Sequence, residues 1–224
     1  YRDNNQAGYE KMIDGMLWGP SVKQGIVTNN RFAHPELAIG LQLPRGWKVD
    51  NNPRFLEARN PGTGALVQIG VMPLKKNESL DGLLKRLTQS KELTVSKKAY
   101  GVTASTRVKP RGGDYQPARV SAIALENSQA LTLFGTSSKD HFADTDKKLL
   151  DINQSFRRLN QAQIAAIKVP RLKIVRPDVQ SFKGMAQQSA LEYEAENTLR
   201  LLNRAFPEGD ITRFDKVKTV TLDD

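Results

Sequence analysis

The sequence predicts an α+β protein: an antiparallel sheet covered by helices, followed by a small strand–helix–helix–strand module. Three observations predict it. Leu37, Ile39, Leu41 and Leu43 fall on every second residue, as do Val67, Ile69 and Val71, which is the period of a strand that buries one face. Leu80, Leu83, Leu84 and Leu87 follow instead the i, i+3, i+4, i+7 spacing of a helix lying on a sheet. After Pro170, segments with strand, helix, helix and strand character fill residues 171–224.

Residues 1–30 are rich in Asn, Gly and Gln, and within them Tyr9, Met12, Ile13 and Met16 share one helical face. This segment is expected to be a linker carrying a short helix over Tyr9–Leu17. The stretch from Phe32 to Trp47 organises the domain after it. Its alternating apolar residues predict a strand, Pro44-Arg45-Gly46 a tight turn, and Trp47 the start of the second arm of a hairpin. Further strands are expected over Trp47–Asp50, Arg54–Arg59 and Ala65–Pro73, the last following the turn Asn60-Pro61-Gly62-Thr63-Gly64. Ser79 is placed to cap the leucine-striped helix, which should run to about Ser90.

Strands resume at Thr94–Lys98 and Val102–Lys109. The turn Arg111-Gly112-Gly113-Asp114 leads into Tyr115–Leu125, and Asn127-Ser128 turns the chain into Ala130–Thr136. Asp140–Arg158 predicts a helix with Phe142, Leu149, Ile152, Phe156 and Leu159 on one side. Asp140, Asp144 and Asp146 lie near its positive end and Arg157-Arg158 near its negative end, as the helix dipole favours. The domain therefore spans 31–159, and 160–170 connects it, as a short helix with Ile164 and Ile167 inward, to a module over 171–224. In that module strands are expected at Leu172–Arg176 and Lys216–Leu222, with helices near Ser181–Gln188 and Leu191–Asn203.

Composition narrows the chemistry. The 224 residues carry no cysteine, which excludes disulfides and thiolate metal sites. No apolar run is long enough to make a membrane-spanning helix. The formal charge of +10 permits an anionic partner, but the basic residues come as scattered doublets, Lys75-Lys76, Lys97-Lys98, Lys147-Lys148 and Arg157-Arg158, with no long block. They read as a solvated basic surface. Nucleic-acid binding would rest on the isoelectric point alone and is not expected. Trp47 is expected in the core.

Catalytic constellations are missing from the sequence. The two histidines, His34 and His141, are more than a hundred residues apart and neither has a second His at i+4, so no H-E-x-x-H zinc helix is formed. His141 with Asp140 and Asp144 reads as an exposed helix start, and His34 before Pro35 as a residue that fixes the start of the first strand by a hydrogen bond. No Gly-x-Ser-x-Gly elbow occurs, and Gly112-Gly113 has no following Lys-Ser or Lys-Thr to cradle phosphate. No catalytic residue, metal ligand or cofactor is therefore assigned to this chain.

Several short motifs, taken in order, do carry a resemblance. Met12-Ile13-Asp14-Gly15-Met16, Gln24-Gly25-Ile26-Val27, Phe32, His34-Pro35-Glu36-Leu37 and Pro44-x-Gly46-Trp47 resemble the segment after the catalytic domain of bacterial periplasmic zinc metallopeptidases. These are the peptidase family numbered forty-eight among the metallopeptidases, relatives of the CAAX prenyl proteases and BepA-type proteases. The resemblance implies a non-catalytic accessory region in the periplasm. Its parent would be a zinc-dependent metalloendopeptidase, with the zinc in a catalytic domain upstream of Tyr1. Its partners would be that peptidase domain, reached through Tyr9, Met12, Ile13, Met16 and Trp18, and envelope proteins or peptidoglycan. The order of elements over 31–159 resembles the PsbP-like sandwich.

Lys173-Ile174-Val175-Arg176-Pro177-Asp178, Leu201-Leu202-Asn203 and Lys216-Val217-Lys218 resemble the first strand, second helix end and last strand of a LysM-like module. That likeness implies a glycan groove near Arg176, Asp178 and Asn203. The Gly-Asp-Thr usual after the first LysM strand is here Pro177-Asp178-Val179, without the Gly or the Thr. A peptidoglycan-binding module is the alternative reading.

Overall fold

The computed structural model describes residues 6–19, 21–90, 92–109, 114–191 and 193–222. The expected turn at Arg111-Gly112-Gly113 lies outside them. The chain begins with helix α1 (Gln6–Ile13), then strands β1 (Ile26–Thr28), β2 (Arg31–His34), β3 (Ile39–Gln42), β4 (Lys48–Asn51), β5 (Leu56–Asn60) and β6 (Ala65–Pro73). Helix α2 (Leu80–Thr88) leads to β7 (Ser96–Lys98), β8 (Gly101–Val108), β9 (Gln116–Ala124) and β10 (Gln129–Thr136). Helix α3 (Phe142–Gln154), β11 (Arg157–Arg158), α4 (Gln161–Ala165), β12 (Pro170–Val175), α5 (Phe182–Gln188), α6 (Ala195–Leu202) and β13 (Val217–Leu222) complete it. The chain is α+β, with antiparallel sheets flanked by helices.

The chain divides into two compact units. The larger is Lys23–Ile164, and the smaller joins the residues up to Val22 with those from Ala165 onward. In the larger unit seven strands run in the order β4-β5-β6-β10-β9-β8-β7, and a second sheet runs β1-β2-β3-β11. Alternation along β8 and β9 sorts the two faces of the long sheet. Val102, Ala104, Val120 and Ala122 pack under Leu83 and Leu84 of α2. On the other face Val67, Ile69, Leu131 and Leu133 share a core with Leu149 and Ile152 of α3 and with Phe32, Ile39 and Leu41 of the second sheet. The Ser79 hydroxyl caps α2 by accepting from Gly82 N at 3.1 Å.

Three expectations are corrected by the structure. Strands β3 and β4 do not form a hairpin: β3 lies in the second sheet and β4 at the edge of the first. The turn at Pro44-Arg45-Gly46 is present, but Leu43 and Trp47 on either side are both buried, so the chain uses it to cross between sheets. The last helix of the domain stops at Gln154, not Arg158. Ser155 captures the chain, its Oγ donating to Ile152 O at 2.7 Å and accepting from Gln42 N at 2.8 Å, and Arg157-Arg158 then pair with β3 opposite Gly40 and Ile39. Sheet pairing wins over helix propagation there.

The third correction concerns the helix expected over Tyr9–Leu17 within residues 1–30: it runs Gln6–Ile13 and stops before Met16. Lys23–Asn30 belongs to the larger unit through β1, which pairs with β2. The preceding segment is zipped onto β12: Gly15 N donates to Leu172 O at 2.8 Å, Leu172 N to Met16 O at 2.8 Å and Trp18 N to Pro170 O at 2.8 Å. Ile13 is buried with Leu172 and Val220. The smaller unit is therefore β12 and β13 paired antiparallel, covered by α5 and α6 around Phe182, Met185, Leu199 and Val217, and extended by the α1 segment.

Candidate functional site

The residues singled out by sequence end in different environments. Ile13 is buried in the smaller unit, and Trp18 packs beside it. Tyr9, Met12 and Met16 stay 49%, 68% and 53% exposed and keep a surface for a partner, whereas Trp18 is half-buried. Tyr9 is in turn covered on one side by the Lys218 ammonium, 5.5 Å from its ring centre, and Glu10 ties α1 to Lys216 at 3.0 Å. Arg176 and Asp178 are exposed at the exit of β12. Asn203 does not join them as a ligand group. It is 7% exposed, with Nδ2 donating to Leu199 O (2.9 Å) and Lys218 O (2.8 Å) and Oδ1 accepting from Lys218 N (2.7 Å). Its amide staples α6 to β13 and has no donor left over.

His34 takes the place expected of it: Nδ1 accepts from Leu37 N at 3.3 Å and pins the turn between β2 and β3. Burial holds the imidazole below its ordinary pKa, although Glu36 and a backbone hydrogen bond pull the other way. It lines a cleft of about 330 Å³ with Lys23, Glu36, Arg54 and Gln129. His141 is exposed, and no cluster of His, Asp and Glu suited to a metal occurs among the described residues.

Two features were not found from sequence. The first is a polar network beneath α3. Arg119 pairs with Asp146 of α3, with Nη2 2.7 Å from Oδ2, and donates to Thr103 Oγ1 at 3.0 Å and Ser105 Oγ at 3.2 Å. Ser121 Oγ donates to Thr103 Oγ1 at 2.9 Å, and Asn153 Nδ2 to Ser121 Oγ at 2.9 Å. Thr103, Ser121 and Asn153 are each 1% exposed. Tyr100 has an enclosed hydroxyl without a partner among the described residues, and its pKa is raised by burial, opposed by Arg119 and reinforced by Asp146.

The second is an open groove of about 570 Å³ between the β7–β8 turn, the ends of β9 and α3, and β11. Lys98, Arg157 and Arg158 line it together with apolar Leu80, Ile123 and Phe156. Arg158 is held in place by donating to Ala124 O at 3.0 Å and lying 5.7 Å from the Phe156 ring centre. Arg157 runs over Gly40, where an added Cβ would come within 3.2 Å of its Nε. Gly101 closes the wall, because a Cβ there would strike the Ala122 carbonyl.

No protein-family model matches the chain, and no curated protein matches it either. Among solved structures it is similar to the cyanobacterial PsbP protein CyanoP of Synechocystis, with 12% identity and a TM-score of 0.41 over 60% of this chain and 94% of that one. A Bacteroides thetaiotaomicron protein matches at 11% identity and TM-score 0.44, over 72% of this chain and 58% of that chain. The Ran-binding protein Mog1p of Saccharomyces cerevisiae matches at 11% identity and TM-score 0.43, over 61% and 98%. PsbP-type structures are thus among those the chain is similar to.

Proposed function

We propose that the chain is a non-catalytic interaction region that positions a periplasmic zinc metallopeptidase or its substrates, built from a PsbP-like domain and a LysM-like module. The observation that supports this is the state of the α1 segment. It is fastened to β12 by backbone hydrogen bonds, yet Met12 and Met16 remain 68% and 53% exposed. A held segment that presents flexible, polarizable thioethers to solvent suits a partner protein surface. The resemblance carried by the motifs from Met12 to Trp47 points to a zinc peptidase catalytic domain as that partner.

The test is calorimetric titration of this chain onto the isolated catalytic domain of such a peptidase. Binding by the parent chain and at least tenfold weaker binding by Met12→Glu/Met16→Glu support the reading. No binding by the parent chain refutes it. Sedimentation with insoluble peptidoglycan that survives about 0.3 M salt, where exposed charges are largely screened, would move the function to cell-wall binding.

A further inference from the structure

The fold brings two of the basic doublets of the sequence to one place. Lys98 from Lys97-Lys98 and both members of Arg157-Arg158 line the 570 Å³ groove, although they are some sixty residues apart and sit on different sheets. Among the described residues no Asp or Glu lines it. Three cations in one groove with no acidic residue make it positively charged, and a carboxylate-bearing occupant would offset that charge. The guanidinium groups are also prepared for it. Arg158 is oriented by the Ala124 carbonyl and the Phe156 ring, and Arg157 has room because residue 40 carries no Cβ. A fixed guanidinium loses little freedom on pairing with a carboxylate, and the pair can be bidentate.

The shape favours a chain segment over a compact anion. The groove is open and runs beside β11, the edge strand of its sheet, where an extended backbone can lie alongside. Successive side chains of an extended segment point to opposite sides. One set would meet the cations and the other the apolar lining residues. We propose that this groove binds an acidic, extended peptide segment of a partner protein in which carboxylates alternate with apolar residues, with Lys98, Arg157 and Arg158 taking the carboxylates. This site is independent of the α1 surface, so either can fail without the other.

The probe is a fluorescein-labelled eight-residue peptide alternating Glu and Leu, titrated by anisotropy into the full chain at about 0.15 M salt, where the Debye length is about 8 Å. Saturable binding is expected, and Lys98→Glu/Arg157→Glu should weaken it at least tenfold. Lys139→Glu/Lys183→Glu changes net charge equally at exposed positions outside the groove and should weaken it less than twofold. The alternating Gln and Leu peptide should not compete. An unchanged circular-dichroism melt shows that the groove variant is folded. If it is not, amide shift changes at Tyr100, Gly101 and Phe156 in the parent chain decide the question. No binding, equal weakening by both double variants, or shifts elsewhere would overturn the proposal. Vesicles containing anionic lipid that bind through the same residues while the peptide does not would overturn it in favour of a membrane surface.

Discussion

Replacing Gly135 by Ala tests whether α3 is seated directly on strand β10. A Cβ on residue 135 would lie 2.9 Å from Leu149 Cγ and closer still to both Cδ atoms. Carbon atoms in contact prefer about 3.5–4.0 Å, so the helix or the leucine must move by about 1 Å. Leu149 is only 2% exposed and shares its core with Ile152, Leu131 and Leu133, which leaves it nowhere to go. The cost expected for overpacking such a site is about 1–3 kcal/mol. Leu149→Ala alone should cost about 2–5 kcal/mol through lost burial and the cavity left behind. In the double variant the new methyl enters the space the leucine vacated, so the two penalties should fall short of their sum by about 1–3 kcal/mol. Urea unfolding is the assay. The chain has two tryptophans, Trp47 buried in the larger unit and Trp18 half-buried in the smaller, so a Trp18→Phe background lets Trp47 report the larger unit alone. A neutral Gly135→Ala, or penalties that simply add, would show that α3 does not rest on this glycine.

In the same background Asp146→Asn should destabilise the larger unit by about 2–4 kcal/mol, because it leaves a mostly buried Arg119 without its counter-charge; a loss below about 0.5 kcal/mol would mean that water takes over the role of the carboxylate. Glu78 is held down to about 2 from an ordinary 4.5 by hydrogen bonds from Arg86 and Lys75 N. Its contribution is present above the ordinary carboxylate pKa and is lost as pH falls from about 4.5 toward 2, so Glu78→Gln should flatten the stability profile in that window, and an unchanged slope would contradict the pairing. His34 behaves similarly at higher pH. Its lowered pKa means that the unfolded chain binds the proton first, so stability should fall as pH drops below about 6.5, and His34→Gln should remove that fall. Asn203→Ala should cost about 1–3 kcal/mol in the smaller unit, since Lys218 N loses its acceptor; Trp18 fluorescence in a Trp47→Phe background reads it.

Local pattern sufficed wherever one face of an element met apolar core and the other met solvent. Alternation found β6 at its observed bounds, Ala65–Pro73, and the leucine stripe with Ser79 found α2 and its cap. The misses have a common physical form: a non-local partner changed the meaning of a correct local signal. Arg157-Arg158 after an amphipathic helix is what the helix dipole favours, but β3 offers backbone partners more than a hundred residues away and draws the pair into a sheet. Tyr9, Met12 and Ile13 do fall on α1, but the helix ends at Ile13 and Met16 lies beyond it, and β12 takes Ile13 and leaves Met12 and Met16 outside. The polar network was hidden for the converse reason. Thr103, Ser105, Arg119 and Ser121 alternate with Val102, Ala104, Val120 and Ala122, so their face reads as the wet side of a half-buried sheet.

Burying that face under α3 works because each hydroxyl passes its hydrogen bond along and Asp146 meets the one charge. The basic groove arises from the same long-range pairing. Once β11 is placed at the edge beside β3, Arg157 and Arg158 face the β7–β8 turn that carries Lys98, and a charge cluster invisible along the chain is formed. Moving β11 out of its pairing with β3 should therefore disperse the groove and expose Leu159, which makes peptide binding and the integrity of the second sheet two readings of one contact.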